Sequence, residues 1–262
     1  MKQRVITAVV ALIIFIPIII MGGIWVDIAA AVLGLVALSE LLVMRKKLLV
    51  SPEAIISGIA VLMVILPDKW LGFLPPHLHL NFLVYVMVIL LLIYSVVSKN
   101  RFSFDDAAVL TLGIFYIGMG FHYFIEARKV GFFALLFALL IVWITDSGAY
   151  MIGRKLGRHK LAPHISPNKT WEGSIGGTLV ATVIVGLYAY FYPQGNYSLL
   201  TTILLIVIVS VIGQFGDLVE SALKRYYGVK DSGKILPGHG GILDRFDSLL
   251  LVLPALHLLN FI

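Results

Sequence analysis

The chain of 262 residues is 60% apolar and 13% charged and has no cysteine, where a soluble domain carries about 45 to 50% apolar and ~25% charged residues. With a mean hydropathy of +1.00, this excludes a soluble globular domain and, at roughly 20 residues per bilayer crossing, predicts about eight to ten transmembrane helices. The lack of cysteine removes disulfides, thiolate metal sites and cysteine nucleophiles, and the net charge of +6 points to loops that orient the chain and attract anionic lipid or phosphorylated groups rather than nucleic acid.

Apolar runs lie at 5–21, 24–44, 54–66, 81–97, 107–125, 132–152, 174–192, 199–216 and 247–262. They predict an all-α polytopic integral membrane protein of about nine transmembrane helices, forming a single membrane-embedded domain over 1–262. Residues 1–130 read as scaffold and dimer contacts, and 131–262 as the half that carries chemistry. The first run exceeds a signal-peptide core and is followed by further membrane segments, so it reads as a retained anchor. The run at 54–66, ending at Leu66-Pro67, is short for a crossing. Placing the N-terminus in the cytoplasm puts all basic residues except Lys69, Arg128 and Lys129 on that side, which the positive-inside rule favours. The polar loops 153–173 and 217–246 are then cytoplasmic and predict a cytoplasm-facing polar cavity.

In the second run, Glu40 lies close to Arg45, Lys46 and Lys47 and reads as a snorkelling side chain. Asp146, within W-I-T-D-S-G-A-Y of the sixth run, is costly against lipid and is expected to face the protein interior, an aqueous cavity or a cation. In the 153–173 loop, S-P-N-K-T-W-E-G brings Ser166, Lys169 and Thr170 together as phosphate donors or as a basic loop on lipid headgroups. Gly173 and Gly177 form a G-x-x-x-G pair suited to close helix packing. His159 and His164 have no metal-ligand spacing with a carboxylate and read as surface residues.

Asp217, Glu220, Ser221 and Lys224 follow at helical spacing and share one face. Such a stripe suits a metal ion and phosphate oxygens, or an ordinary amphipathic exit helix. Asp244, Asp247 and Ser248 repeat the spacing at the start of the last run, where carboxylates serve either as ligands or as helix caps. Between them, V-K-D-S-G-K-I-L-P-G-H-G-G offers Lys230, Lys234 and His239 as donors to a triphosphate. Its Gly238, Gly240 and Gly241 either bring backbone amides to phosphate or form a tight turn. No Walker, G-x-S-x-G or H-E-x-x-H motif occurs. Carboxylates with basic groups remain, an inventory that favours magnesium-dependent phosphate chemistry.

Residues Ser221 to Asp247, S-A-L-K-R-Y-Y-G-V-K-D-S-G-K-I-L-P-G-H-G-G-I-L-D-R-F-D, resemble the signature of the phosphatidate cytidylyltransferases, also called CDP-diacylglycerol synthases. The D-S-x-A-Y and S-P-x-K-T-x-E-G segments extend the resemblance over the C-terminal half. It implies transfer of a cytidylyl group from CTP to phosphatidic acid, giving CDP-diacylglycerol and pyrophosphate with Mg2+, and with room for a second cation. Asp217 and Asp244 are the implied metal ligands, supported by Asp247 and Asp231. Lys224, Arg225, Lys230, His239 and Arg245 are expected on triphosphate or lipid phosphate. Ser221, Ser166, Lys169 and Thr170 complete the polar wall, and Asp146 projects toward the same site. The implied partners are CTP, phosphatidic acid, membrane lipids and a second copy in a homodimer. The expected location is a bacterial-type plasma membrane with the active site cytoplasmic. Two rivals remain at this level: a secondary transporter of a phosphorylated solute, and a lipid phosphotransferase with a polyprenol or dolichol acceptor.

Overall fold

A computed structural model describes residues 2–70, 72, 80–193 and 197–262. Helices α1 (Lys2–Met21), α2 (Ile24–Met44), α3 (Pro52–Ile65), α4 (Leu80–Val97), α5 (Phe104–Val130) and α6 (Phe132–Leu156) come first. Strands β1 (Lys160–Ala162) and β2 (Ser166–Thr170) follow, then α7 (Trp171–Phe191), α8 (Leu199–Tyr226), the short α9 (Leu243–Phe246) and α10 (Leu249–Leu258). Among the described residues α2, α5, α6, α7 and α8 are long and apolar enough to cross a membrane. A helix satisfies its backbone within one segment, as hydrocarbon requires. Apolar side chains left on the outside, such as Ile13, Leu112, Val183 and Leu200, suit contact with lipid. The chain is thus an all-α polytopic membrane protein with one small hairpin. The run at 54–66 forms α3, started by Ser51, whose hydroxyl accepts from Ala54 N at 3.3 Å, and ended ahead of Pro67.

The chain divides into two compact units, residues 1–125 with 231–243, and 126–230 with 244–262. In the first, charges at helix ends are paired. Asp106 closes a capping box with Ser103 at the start of α5 and binds Arg45 and Lys47, the latter at 2.7 Å. Asp27 accepts from Trp70 Nε1 at 3.0 Å and from Lys69 at 2.6 Å.

Glu40 corrects the sequence expectation. It does not snorkel: it is 3% exposed, and it accepts from Ser232 Oγ at 2.9 Å, Ile242 N at 2.7 Å and Leu243 N at 2.9 Å. A carboxylate near the end of an apolar helix takes backbone donors when a loop brings them within reach, because an unmet charge there is costly.

In the second unit α6 and α7 pack through glycines. A Cβ on Gly173 would lie 2.7 Å from the Ala149 carbonyl, and one on Gly177 would lie 2.5 Å from that of Thr145. Beneath the glycine seam, Thr145, Thr178 and Gln214 join through Ser210 and one another by hydroxyl and amide contacts of 2.8 to 3.0 Å. Their buried polar groups thereby satisfy each other. The hairpin pairs Lys160 with Thr170 and Ala162 with Ser166. Glu172 secures it by accepting from the backbone of Arg158 and His159 at 3.1 and 3.2 Å, while His159 Nδ1 stands 2.6 Å from the carboxylate at the surface.

The last apolar run forms α10. A break in the helix at Asp247 and Ser248 separates it from α9. Opposite the break is Gly216, whose added Cβ would lie 2.7 Å from the Asp247 carbonyl oxygen and 2.9 Å from Ser248 Cα. Both are backbone atoms, so they cannot turn aside. Gly216→Ala is therefore expected to destabilise the protein by about 1–3 kcal/mol through overpacking, read as a lowered melting temperature in detergent. Gly131→Ala, with open space around the new carbon, should shift melting far less, and equal melting of the two variants would contradict this close approach.

Candidate active site

The end of α8 presents the polar face that helical spacing predicts. Ser221 Oγ donates to Asp217 Oδ1 one turn back at 3.2 Å, and Lys224 ion-pairs with Glu220 one turn back. Lys224 Nζ also donates to Asp244 Oδ1 at 2.6 Å. This group is almost dry, with side-chain exposures of 0% for Glu220, 4% for Asp244 and 12% for Lys224. One ammonium thus serves two carboxylates inside the protein. Asp217 turns its other oxygen to Lys169 on β2, 2.5 Å away, and about a quarter of that pair is exposed.

Two more carboxylates stand around Asp217. Asp146 on α6 and Asp247 in the turn before α10 both lie within electrostatic range of it, and Lys169 and Arg245 act on Asp146. Asp247 Oδ1 accepts from Ser248 N at 2.7 Å, while Asp244 and Asp247 both bear on Glu220. Among the described residues, the carboxylates of Asp146, Asp217, Glu220, Asp244 and Asp247 thus share three cations, Lys169, Lys224 and Arg245.

Asp217 and Asp244, expected as a metal pair, sit in separate ion pairs with Lys169 and Lys224. Among the described residues no three His, Asp or Glu side chains stand together as a metal cluster. The donor set nonetheless suits Mg2+, which prefers hard oxygens and takes few carboxylates beside water and phosphate. An excess of negative charge held by lysines is a place where a divalent cation relieves repulsion.

The other expected residues have varied places. Thr170 is buried and caps α7, its Oγ1 accepting from Gly173 N at 3.1 Å. Ser166 is half-buried on β2. Arg225 fastens the end of α8 to the hairpin turn, donating to the Ile165 carbonyl at 3.1 Å and the Val229 carbonyl at 3.3 Å. Lys230 and Arg245 are exposed. Asp231 and His239 belong to the first unit, where Asp231 is exposed and His239 half-buried. There the loop turns tightly, with Leu236 N donating to the Gly240 carbonyl at 3.0 Å. Gly238 and Gly240 adopt φ of 77° and 83°, values that favour glycine. Sequence reasoning missed Glu40 as a partner of this loop; the available signal was a carboxylate inside an apolar run.

The cytidylyltransferase family model matches residues 2–262, and the chain belongs to that family. It is 49% identical over 262 residues to the phosphatidate cytidylyltransferase of Staphylococcus haemolyticus. Those of Staphylococcus saprophyticus and Staphylococcus aureus are each 48% identical to it, over 262 and 259 residues. In all three comparisons 99% of this chain and 98% of the relative are covered.

The dry Glu220, Lys224 and Asp244 group generates a stability prediction. Lys224→Ala leaves two buried carboxylates without their shared cation and should cost about 3–5 kcal/mol. Adding Glu220→Gln, which removes one of the stranded charges, should recover part of that loss. Thermal melts of the purified variants check this, and a Lys224→Ala protein that melts with the wild type would contradict the pairing.

Proposed function

We propose that the wall of α6, β2, α8 and residues 244–248 is where this chain transfers a cytidylyl group from CTP to phosphatidic acid, forming CDP-diacylglycerol and pyrophosphate. The observation that carries the assignment is the concentration of carboxylates around Asp217, interleaved with Lys169, Lys224 and Arg245, in a chain so closely similar to phosphatidate cytidylyltransferases. In the reaction an oxygen of the phosphatidate phosphate bonds to the α-phosphorus of CTP, and the bond from that phosphorus to pyrophosphate breaks. A phosphate monoester is already anionic near neutral pH, so no strong base is required. Repulsion between two polyanions is the main obstacle.

The residues of the wall are suited to lowering it. Asp217 and Asp244 would hold Mg2+, with Asp247, Asp146 and Asp231 as supporting groups or as ligands of a second cation. When bound, Mg2+ would neutralise phosphate charge and stabilise the departing pyrophosphate. Lys169, on its short strand beside Asp217, is placed to exchange the carboxylate for a phosphate oxygen. Lys224 and Arg245 add positive charge on the same wall, while Arg225 and Thr170 hold the hairpin that carries Lys169 and Ser166. Lys230 and His239 would serve the triphosphate.

Among the described residues, the apolar helices α1 to α8 and α10 would act as nine spans, with a polar cavity at their cytoplasmic ends. The basic-residue distribution supports a cytoplasmic N-terminus and active site, where CTP arrives from water and phosphatidic acid from the bilayer. The bacterial relatives support a plasma-membrane location, and a homodimer is the assembly we propose.

Purified full-length protein given radiolabelled CTP, phosphatidic acid and Mg2+ should release pyrophosphate and CDP-lipid, and EDTA should stop it. Asp217→Asn and Asp244→Asn should each lower turnover at least about 100-fold, the order lost when a single electrostatic stabiliser of a transition state is removed. Near-wild-type turnover in either variant would remove that residue from the metal site, and no CDP-lipid from the wild type would end the enzymatic reading.

A further inference from the structure

A buried carboxylate of the first unit has no part in the wall described above. Glu40, 3% exposed on α2, makes no ion pair among the described residues. It is met by three neutral donors: Ile242 N on Oε1 at 2.7 Å, and Leu243 N and Ser232 Oγ on Oε2, each at 2.9 Å. The donors come from both ends of the 231–243 loop, so one side chain closes that loop upon itself.

The loop is shaped to admit this carboxylate. A Cβ on Gly233 would stand 2.7 Å from Oε1, 2.9 Å from Cδ and 3.0 Å from Cγ of Glu40, and one on Gly241 would press on both carboxylate oxygens and on Ser232 Oγ. Neither glycine has a positive φ, so each is needed for room rather than for conformation. Ser232, Gly233 and Gly241 of the signature thus all face the same side chain.

We infer that Glu40 is a positioning residue for cytidylyl transfer, a carboxylate clamp that sets the path of the 231–243 loop and of the chain entering Asp244. This rests on the reading of Asp244 and the loop cations as parts of the active site. Only a carboxylate offers acceptors on both oxygens. An amide at position 40 would turn its NH2 toward a backbone N–H and leave that donor unmet. Aspartate would withdraw both oxygens by one methylene.

The test uses full-length protein in lipid nanodiscs, with hydrogen exchange at the Ile242 and Leu243 amides measured beside kcat and KM for CTP. In Glu40→Gln, at least one of those amides should exchange about tenfold faster, the effect of losing one hydrogen bond. The KM for CTP should rise, with melting lowered only by what one unmet donor costs. Gly233→Ala should reproduce the defect in the presence of Glu40, yet add little to Glu40→Ala, because the atoms it strikes are then gone. Should the alanine variants fail to fold, Ser232→Ala, which leaves both backbone bonds in place, should show a smaller change in the same direction as Glu40→Gln. Unchanged exchange in Glu40→Gln, full additivity of Gly233→Ala with Glu40→Ala, or faster exchange with unaltered kinetics would each overturn the inference. If the wild type makes no CDP-lipid, the reading of the active site has failed, whereas the exchange rates still judge the clamp.

Discussion

A carboxylate taken out of water must be met by a cation, by hydrogen-bond donors, or by both, and in hydrocarbon no solvent makes up a shortfall. This constraint organises the polar interior of the chain. Asp106 collects Arg45, Lys47 and a helix cap; Asp27 collects Lys69 and an indole N–H; Glu40 collects two backbone amides and a hydroxyl. Each of these is a single carboxylate with its own partners. Around Asp217 several carboxylates share Lys169, Lys224 and Arg245 instead. That sharing distinguishes the proposed site from the single-carboxylate pairings elsewhere in the chain.

Close backbone approach is the second requirement of the site, and glycine meets it. Gly173 and Gly177 let α7 lie against α6, which brings the Lys169 strand beside the helix bearing Asp146. Gly216 admits the Asp247 and Ser248 backbone against α8, so the turn between α9 and α10 lies there, with Asp247 within electrostatic range of Asp217. Gly233 and Gly241 do the same for the loop that wraps Glu40. At Gly173, Gly177 and Gly216 an added carbon would meet backbone first, whereas at Gly233 and Gly241 it would meet the Glu40 carboxylate and, at Gly241, the Ser232 hydroxyl as well.

Much of the site was legible beforehand because helical spacing is local. Asp217, Glu220, Ser221 and Lys224 share a face by their offsets alone, and α8 continues far enough to display them. The G-x-x-x-G pair likewise announced a helix seam. Other features depend on partners far along the chain. Glu40 finds its donors 192 to 203 residues away, so its proximity to Arg45 in sequence was misleading. The 153–173 loop gave no sign of its short hairpin, since strands of three and five residues carry too little alternation to register.

Composition and apolar periodicity by themselves determined a polytopic helical membrane protein, and the Ser221 to Asp247 segment determined its family, because bilayer thickness and local spacing leave few alternatives. Tertiary structure decided which charges meet. Asp217 went to Lys169 and Asp244 to Lys224, Thr170 became a helix cap, and Glu40 became the closure of a loop. Those outcomes follow from distances between segments remote in sequence, which the order of residues does not express until helices pack and each buried charge takes the nearest partner that satisfies it.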